Sequence, residues 1–409
     1  MLKHSLNRHE NEFACSIKYI PAMKKIFTAS WGQLEKGGSN VGDEAIFASQ
    51  VRDLSTLEDV EIGVMSAIPE RTRDLYSVKP FDVSRGRLRA MTEGVKWSDV
   101  VIVGGGELAQ DRSSLLYTPF NLHPLRLARR YGKPAFAWSV GIGQKEELAR
   151  WTPWQLRKWL GYCSGITLRD EPSYQLLVDL GLPAEKMVLA SDSTFTLAGG
   201  YVQSLGNSDI LGVALRNVAN RQGKLLPLEL RKKLGFYREP DVSGIRRKWA
   251  DLLDDHIENR GGEVRFFPFH TGSLSNSDDS ECQAVMSMME HSQNASLVMP
   301  TDLGEFMSNL ARCRVVVSVP LHGSILSVVT GTVPIAVPYA SKGYRFMDEA
   351  GISRLTVNYE DEGWNRELDS ILLSTWTDAG SISRELTPKR SELAERCRLN
   401  LQFLEQKCL

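Results

Sequence analysis

The sequence predicts an α/β protein of two doubly wound domains, each with a parallel sheet covered by helices. Short β-branched runs alternate with longer amphipathic stretches, which is typical of strands and helices in a parallel sheet. The alternation stops at a polar break over residues 199–209 and then starts again. The chain has 409 residues, which is too long for one hydrophobic core and suits two domains of about 200 residues each.

The first half of the chain supplies the elements of the N-terminal domain. Runs rich in valine and isoleucine predict strands, and stretches with apolar residues three or four apart predict helices. Strands are predicted at 24–30, 60–65, 97–106, 134–143, 164–171 and 186–192, and helices at 43–54 and 172–181. Because these elements alternate, we expect one parallel sheet covered by helices.

The second half repeats the pattern. Strands are predicted at 210–216, 263–269, 296–299, 314–319 and 333–339, and helices at 305–313 and 324–331. We expect the N-terminal domain to span residues 1–200, with 1–23 poorly ordered, and the C-terminal domain to span 201–409. The last helical stretch, 388–409, is expected to pack back on the first domain.

Composition and charge exclude several classes of protein. The formal net charge is −1, so no overall positive field favours nucleic acid, although a local basic patch stays open. The six cysteines form no C-x-x-C pair, which argues against a zinc knuckle and favours reduced cytosolic thiols. The N-terminus lacks an apolar signal region, and no apolar run reaches 18 residues. We therefore expect a cytoplasmic protein.

Candidate functional residues follow the predicted strands, because ligands of doubly wound sheets bind at the carboxyl ends of the strands. The first such segment is GGSNVGDE, residues 37–44, which holds Asn40, Gly42 and Asp43. Its glycines allow close backbone approach, and the N–H groups of the next helix can bind an anion or sugar hydroxyls. The alternative is a flexible loop with a favourable helix start.

The second segment is VIVGGGELAQD, in which Gly104, Gly105, Gly106 and Glu107 follow a strand. These glycines let a ligand or the opposite domain approach the backbone, or they form a structural tight turn. The segment lacks the G-x-G-x-x-G spacing, so a dinucleotide site is not supported. The segment SVGIG has the same two interpretations.

Two charged residues end later strands of the first half. Arg169, beside Asp170, either reaches the cleft or pairs with a buried carboxylate. Asp192 in LASDSTF either caps the following turn or lines the cleft.

The second half opens with GVALRN, which ends a strand at Arg216. An arginine at this edge presents a bidentate fork to a carboxylate or phosphate, and the alternative is a surface salt bridge. His270 follows the next strand and is a further cleft candidate, although a lone histidine is more often a packing residue. The acids of DDSE, residues 278–281, read as a solvated helix start rather than a metal site, and we predict no metal ligands.

The most informative segment is VVVSVPLHGSILSVVTG, residues 315–331. A buried strand ends at Val319, and His322 and Gly323 then open an apolar helix. Histidine titrates near neutrality and suits proton transfer, and the N–H groups after it can bind phosphate. Lys342 adds a cation after the next strand. The alternative is a histidine that only caps the helix.

A tryptophan-rich stretch lies at residues 150–162. Trp151, Trp154 and Trp159 alternate there with arginine and lysine, a composition that suits peripheral contact with a membrane interface. The alternative is a helix docked on its own sheet.

The ordered set of segments resembles the polysaccharide pyruvyltransferase family. The matching strings are GGSNVGDEAI, VIVGGGELAQD, SVGIG, ITLRDEPSYQLLVDLG, the ASD strand end, GVALR, LHG and GTVPIAVPYASKGYRFMDEAGI, and they cover most of residues 25–352. The resemblance implies two facing Rossmann-like domains, as in the GT-B glycosyltransferases, with the acceptor on the first domain and the donor on the second.

The resemblance also implies the chemistry. The donor would be phosphoenolpyruvate, with no other cofactor, and the acceptor a cell-envelope or extracellular saccharide, in some members lipid-linked at the inner face of the membrane. The product would be a pyruvate ketal, with phosphate released. His322 matches the histidine of the family's Arg-Leu-His motif and becomes the candidate acid or base. Arg216 matches its donor-binding arginine, and Leu321, Gly323 and Lys342 join the donor side. Oligomer formation stays open.

One departure from the family is Pro320, which stands where the motif has arginine. Proline removes a cation and a backbone N–H, and a charge-assisted contact is worth about 1.5–3 kcal/mol. Three outcomes are open. Another cation (Arg169, Lys342 or Arg345) takes the place of the motif arginine, or the donor is not phosphoenolpyruvate, or the chain has lost pyruvyl transfer. The rival functions are a GT-B-type transferase with a nucleotide-sugar donor and a non-catalytic saccharide-binding protein.

Overall fold

The computed structural model describes residues 23–29, 38–112, 114–200, 208–218, 241–272 and 277–409. Most of the N-terminal stretch expected to be poorly ordered, and most of the polar break at 199–209, lie outside these ranges.

The first sheet is wholly parallel and lies in the first half of the chain. Its strands are β1 (Lys24–Thr28), β3 (Val60–Ser66), β4 (Lys79–Asp82), β5 (Val100–Gly104), β6 (Glu107–Ala109), β7 (Ala135–Ile142), β8 (Gly165–Leu168) and β9 (Met187–Leu189). They run in the order β4-β3-β1-β5-β7-β8-β9, with β6 beside β7. Alternate residues of each strand face opposite sides of the sheet. Ile26 therefore packs in one apolar core and Phe27 in another.

The second sheet is also parallel, with strands β10 (Ile210–Ala214), β11 (Glu263–Phe266), β13 (Ala295–Leu297), β14 (Val315–Ser318) and β15 (Val333–Ala336) in the order β13-β11-β10-β14-β15. Its central strands are buried on both faces and contribute Val213, Phe266 and Val317 to one core. These strands therefore read in the sequence as continuous apolar runs rather than as alternating patterns.

Helices cover both sheets. In the first half they are α1 (Val41–Leu54), α2 (Pro69–Tyr76), α3 (Arg87–Trp97), α4 (Tyr117–Asn121), α5 (His123–Arg130), α6 (Thr152–Leu160) and α7 (Glu171–Asp179). In the second half they are α8 (Ser243–Arg260), α9 (Asp278–Met286), α10 (Leu303–Ala311), α11 (Leu321–Thr330), α12 (Ser341–Glu349), α13 (Trp364–Cys397) and α14 (Leu399–Cys408). The predicted fold class, two parallel sheets covered by helices, is confirmed.

Two further features connect the halves. Strands β2 (Gly38–Asn40) and β12 (His270–Gly272) pair antiparallel across the gap between the domains, with Asn40 opposite His270. The chain also returns to the first sheet at its end, where Phe403 of α14 packs against Phe136 with ring centroids 6.1 Å apart. Sequence patterns did not predict β2, β4, β6 or β12, because these short strands contain no run of β-branched residues.

Among the described helices, none is both long and apolar enough to cross a membrane.

Candidate active site between the two domains

His322 lies where the two domains meet. Helix α11 begins at Leu321, directly after β14, and presents the imidazole to the start of α1 in the first domain. A Cβ atom built on Gly42 would lie 2.6 Å from the ring Cγ of His322. Only glycine at position 42 leaves room for the ring, so the predicted loop of the first domain and the predicted histidine of the second pack directly together.

The surroundings of His322 keep its imidazole neutral. Burial, together with the nearby cations Arg169, Lys342 and Arg216, lowers the pKa of His322 to about 4 against the opposing effect of Asp192. Its Nε2 atom lies 3.9 Å from Asp192 Oδ2 and has no hydrogen-bond partner among the described residues. The ring is therefore neutral at pH 7 and does not titrate near neutrality.

A buried ion-pair network forms one side of the site. The guanidinium of Arg169 lies 3.3 Å from Asp192 and 3.6 Å from Asp170. Burial opposes the charged form of Arg169, but these carboxylates outweigh it and raise its pKa. Asp192 also caps the 3-10 turn Ser193–Leu197 by accepting the N–H of Thr194 at 3.1 Å. Both interpretations of Asp192 therefore hold, since one oxygen caps the turn and the other faces Arg169 and His322.

A second ion pair crosses from one domain to the other. Lys342, at the start of α12, donates to Glu107 Oε2 at 2.9 Å, and Arg112 adds a weaker contact to the same carboxylate. Burial raises the pKa of Glu107, but the two cations outweigh it and lower the pKa overall. Burial also raises the pKa of Asp43 to about 6, with Lys342 and Arg216 opposing. In this site Asp43, rather than His322, can therefore exchange a proton near neutral pH.

Arg216 is held by a buried carboxylate. It donates from Nε to Asp278 Oδ1 at 3.0 Å and from Nη2 to Asp278 Oδ2 at 2.7 Å, and it also bonds to the side chain of Tyr339. Asp278 accepts the backbone N–H of His270 as well, at 2.8 Å. The prediction that residues 278–281 form a solvated helix start is wrong for Asp278 and Glu281, which are buried because they bind Arg216 and Arg246.

Several glycines predicted for the cleft serve packing instead. Gly105 has φ 97°, and a Cβ there would overlap Ile46 and lie 2.8 Å from Gln50 Nε2. A Cβ on Gly323 would overlap Ser318, so this glycine faces β14 and not the cleft. Gly106 has an ordinary contact with Ile46. Gly105 and Gly323, but not Gly106, are therefore needed for the close approach of α1 and α11 to the sheets.

A small pocket, with a volume of about 20 Å³, lies beside the network. Its walls come from both domains and combine apolar side chains with both signs of charge: Arg169, Asp170, Asp192, Phe195, Leu321, Ile325, Lys342, Arg345, Phe346 and Glu349. Tyr339 was not singled out in the sequence, although it ends a predicted strand, as Arg216 does. No cluster able to hold a metal ion is found in the part of the chain that the structure describes.

The tryptophan helix docks on its own sheet, in agreement with one of its two interpretations. Leu156 and Leu160 are buried and Trp159 is half-buried, whereas Trp151 and Trp154 are exposed. Docking through one face leaves the other face free, so it does not decide the membrane interpretation.

A buried acid beside the site gives a testable pH dependence. Glu44 accepts a hydrogen bond from Tyr76, and burial raises its pKa to about 7. An acid with a raised folded pKa holds its proton more tightly in the folded state, so its ionisation destabilises the fold increasingly as pH rises from about 4.5 to 7. The Glu44→Gln variant is therefore expected to gain about 2–3 kcal/mol in unfolding free energy, relative to the unmodified protein, between pH 5 and pH 8. Urea unfolding at the two pH values measures this, and an unchanged difference would contradict it.

Comparison with known proteins agrees with this architecture. Residues 40–341 match the model of a family described as polysaccharide pyruvyl transferase. No curated protein sequence matches the chain. Among solved structures, a UDP-GlcNAc 2-epimerase from Neisseria meningitidis bound to UDP-GlcNAc is similar with a TM-score of 0.58 and 10% identity, covering 93% of this chain and 99% of that one.

Two further structures show the same fold. The Staphylococcus aureus MnaA–UDP complex has a TM-score of 0.58 and 13% identity, over 93% of this chain and 94% of that chain. Anabaena HepE in complex with UDP-glucose has a TM-score of 0.57 and 10% identity, over 94% and 99%. Two facing Rossmann-like domains of the GT-B type are therefore the fold of this chain.

Proposed function

Because the chain belongs to the polysaccharide pyruvyl transferase family, we propose that it transfers the enolpyruvyl unit of phosphoenolpyruvate to a sugar of a cell-envelope or extracellular polysaccharide, or its lipid-linked precursor. Two sugar hydroxyls add to C2 of the donor and form a ketal. One of their protons goes to the methylene carbon, which becomes a methyl group, and the other leaves with phosphate. The proposal needs no further cofactor and places the reaction on the cytoplasmic side of the membrane.

The observation that carries this proposal is the free, buried Nε2 of His322 next to a ring of cations. Phosphoenolpyruvate brings a phosphate and a carboxylate into the site. A nearby negative charge favours the imidazolium form of histidine. We therefore propose that donor binding raises the pKa of His322, so that the ring takes up a proton and delivers it to the methylene carbon.

The cations of this site already have carboxylate partners, which bears on how the donor would bind. Arg216 donates hydrogen bonds to Asp278 and also bonds to Tyr339, and Arg169 lies between two aspartates. Lys342 donates one hydrogen bond to Glu107 among the described residues, whereas an ammonium group can donate three. Asp43 can relieve the negative charge by holding a proton. The donor is thus proposed to join existing ion pairs rather than to fill an empty cationic pocket.

The structure also bears on Pro320. Pro320 is the N-cap residue of α11, and its carbonyl accepts the Gly323 N–H at 3.0 Å and the Ser318 hydroxyl at 2.7 Å. A cation is therefore required from elsewhere. Arg345 lines the pocket and bonds to the carbonyl of Ile142 at 3.1 Å, 3.6 Å from Asp170. We propose Arg345, together with Lys342, as the replacement, because both lie on α12 at the pocket.

Phosphate release tests the function. Purified protein is incubated with phosphoenolpyruvate and a panel of free, nucleotide-linked and lipid-linked saccharides. We expect phosphate only when an acceptor is present, together with a new ketal methyl signal in the proton NMR spectrum. The nucleotide-sugar alternative predicts the opposite pattern, with a rise in melting temperature on adding UDP-sugars and no effect of phosphoenolpyruvate. Saccharide binding without turnover would favour a non-catalytic protein.

A further inference from the structure

Positive charge is concentrated in one part of the first domain. Residues 112–168 contain nine lysines and arginines but only two acids, Glu146 and Glu147, which gives this segment a net charge of +7 in a chain of net charge −1. One of the two acids, Glu147, lies 3.4 Å from Arg112 and is partly neutralised by it. The overall charge therefore conceals a strongly basic region.

The same segment exposes four large apolar side chains. The exposed fractions are 56% for Leu116, 37% for Phe120, 48% for Trp151 and 61% for Trp154. Exposed apolar residues are common singly, but a group of them signals an interaction surface.

A buried aspartate links the two segments that carry these side chains. Asp111 accepts the hydroxyl of Thr118 at 3.2 Å and the hydroxyl of Thr152 at 2.6 Å. Thr118 lies between Leu116 and Phe120 in the sequence, and Thr152 directly follows Trp151 at the start of α6. The shared carboxylate therefore holds the stretch that contains Leu116 and Phe120 close to the start of α6.

Cations lie directly against the aromatic rings of this surface. Lys158 Nζ is 4.7 Å from the ring centroid of Trp154 and 5.0 Å from that of Trp159. The Arg126 guanidinium is 5.4 Å from the Trp159 ring. Arg150 and Arg157 are exposed beside them. Tryptophan with arginine and lysine is the composition of segments that lie at the level of lipid headgroups, where the ring enters the apolar boundary and the cation meets phosphate.

We propose that this surface, formed by Leu116, Phe120, Trp151, Trp154 and the neighbouring Arg150, Arg157 and Lys158, docks the first domain onto an anionic lipid bilayer. Charge decides between this partner and a second copy of the chain, since a symmetric dimer through this surface would bring two basic regions together. The aliphatic Leu116 adds contact with lipid but little to the stacking that single-stranded nucleic acid uses.

The docking surface adjoins the candidate active site. Glu147 contacts Arg112 and the hydroxyl of Ser341 at the mouth of the cleft, and the chain reaches Trp151 only four residues later. A docked molecule would hold the cleft beside the headgroups. This one step rests on the proposed function. An acceptor sugar attached to lipid would then reach the site without leaving the membrane.

Vesicle binding tests the proposal with the full chain. The protein is mixed with vesicles of phosphatidylcholine alone, or with vesicles that contain about 40% phosphatidylglycerol and therefore have an anionic surface, and bound protein is separated by flotation. We expect binding to the anionic vesicles only, with loss on adding salt, because the attraction of surface charges is screened. The Trp151→Ser/Trp154→Ser variant and the Arg157→Glu/Lys158→Glu variant are each expected to bind at least about tenfold more weakly. Leu373→Ser, which removes an equally exposed apolar side chain on α13, is the matched control and is expected to bind normally.

The other outcomes are distinguishable. Equal binding to neutral vesicles, or binding that the paired variants leave unchanged, would overturn the proposal. So would displacement from vesicles by an oligonucleotide, or a dimer that the tryptophan variant dissociates. The tryptophan variant should keep full phosphate release with a water-soluble acceptor. If no variant releases phosphate with any acceptor while vesicle binding behaves as expected, the proposed function fails and the docking surface stands.

Discussion

Replacing His322 with alanine is expected to lower the turnover of phosphoenolpyruvate by about 10²–10⁴-fold, the usual contribution of a positioned acid or base. The physical reason is the site's geometry, in which the buried Nε2 has no partner in the described structure and faces the space between the domains. The folded state should persist, because the buried Nε2 of the ring has no hydrogen-bond partner in the described structure to lose. Single-turnover phosphate release and a melting curve measure the two effects. A folded variant that keeps more than a tenth of the rate would remove His322 from the mechanism.

Gly42→Ala tests the same ring without changing it. A methyl group at Gly42 would occupy the place of the imidazole, so His322 must move and the rate should fall although the histidine is intact. Gly106→Ala is the matched control, since its Cβ makes only an ordinary contact with Ile46 at 3.5 Å. We expect the control to retain activity. Equal rates for the two alanine variants would show that the position of the ring is unimportant.

Replacing Asp278 with alanine is expected to destabilise the protein by about 3–5 kcal/mol, the usual effect of removing one partner from a buried ion pair. The loss leaves the guanidinium of Arg216 buried without its carboxylate and the N–H of His270 without that acceptor. Urea unfolding, or the melting temperature if the domains unfold separately, measures the effect. The double variant Asp278→Leu/Arg216→Met should be destabilised less than Asp278→Ala, because no unpaired charge remains.

An exposed ion pair of similar geometry provides the control. Arg354 donates two hydrogen bonds to Glu385, at 3.0 and 2.6 Å, and about half of each side chain is exposed. Exposed pairs are typically worth about 0–1 kcal/mol, so Glu385→Ala should change stability little. Equal losses for Asp278→Ala and Glu385→Ala would show that burial of the Arg216 pair has no special weight.

The sequence was sufficient for the fold class because buried parallel strands leave continuous apolar runs, such as those ending at Val319 and Arg216. The rule that ligand residues follow strands selected Glu107, Arg169, Asp192 and His322, which the structure brings to one cleft. The sequence reveals the position of each of these residues because the strand that precedes it fixes that position.

Other features depend on contacts that no local pattern records. The partner of Arg216 comes from a polar run 62 positions later, and the same string fits a solvated helix start equally well. The neutral state of His322 depends on cations from both domains. Gly105 and Gly323 look like ligand-loop glycines, but α1 occupies the space beside Gly105, and Ser318 of β14 occupies the space beside Gly323. The role of each of these residues depends on tertiary packing, which brings together groups that are far apart in the sequence.

The short ladder between β2 and β12 has a consequence for how the enzyme works. Asn40 ends one strand and caps the helix that carries Gly42, while His270 begins the other and donates to the carboxylate that holds Arg216. The strand pairing therefore fixes the distance between the two halves of the site before a ligand binds. Less of the free energy of ligand binding is then consumed in assembling the halves, and more can go to the reacting groups.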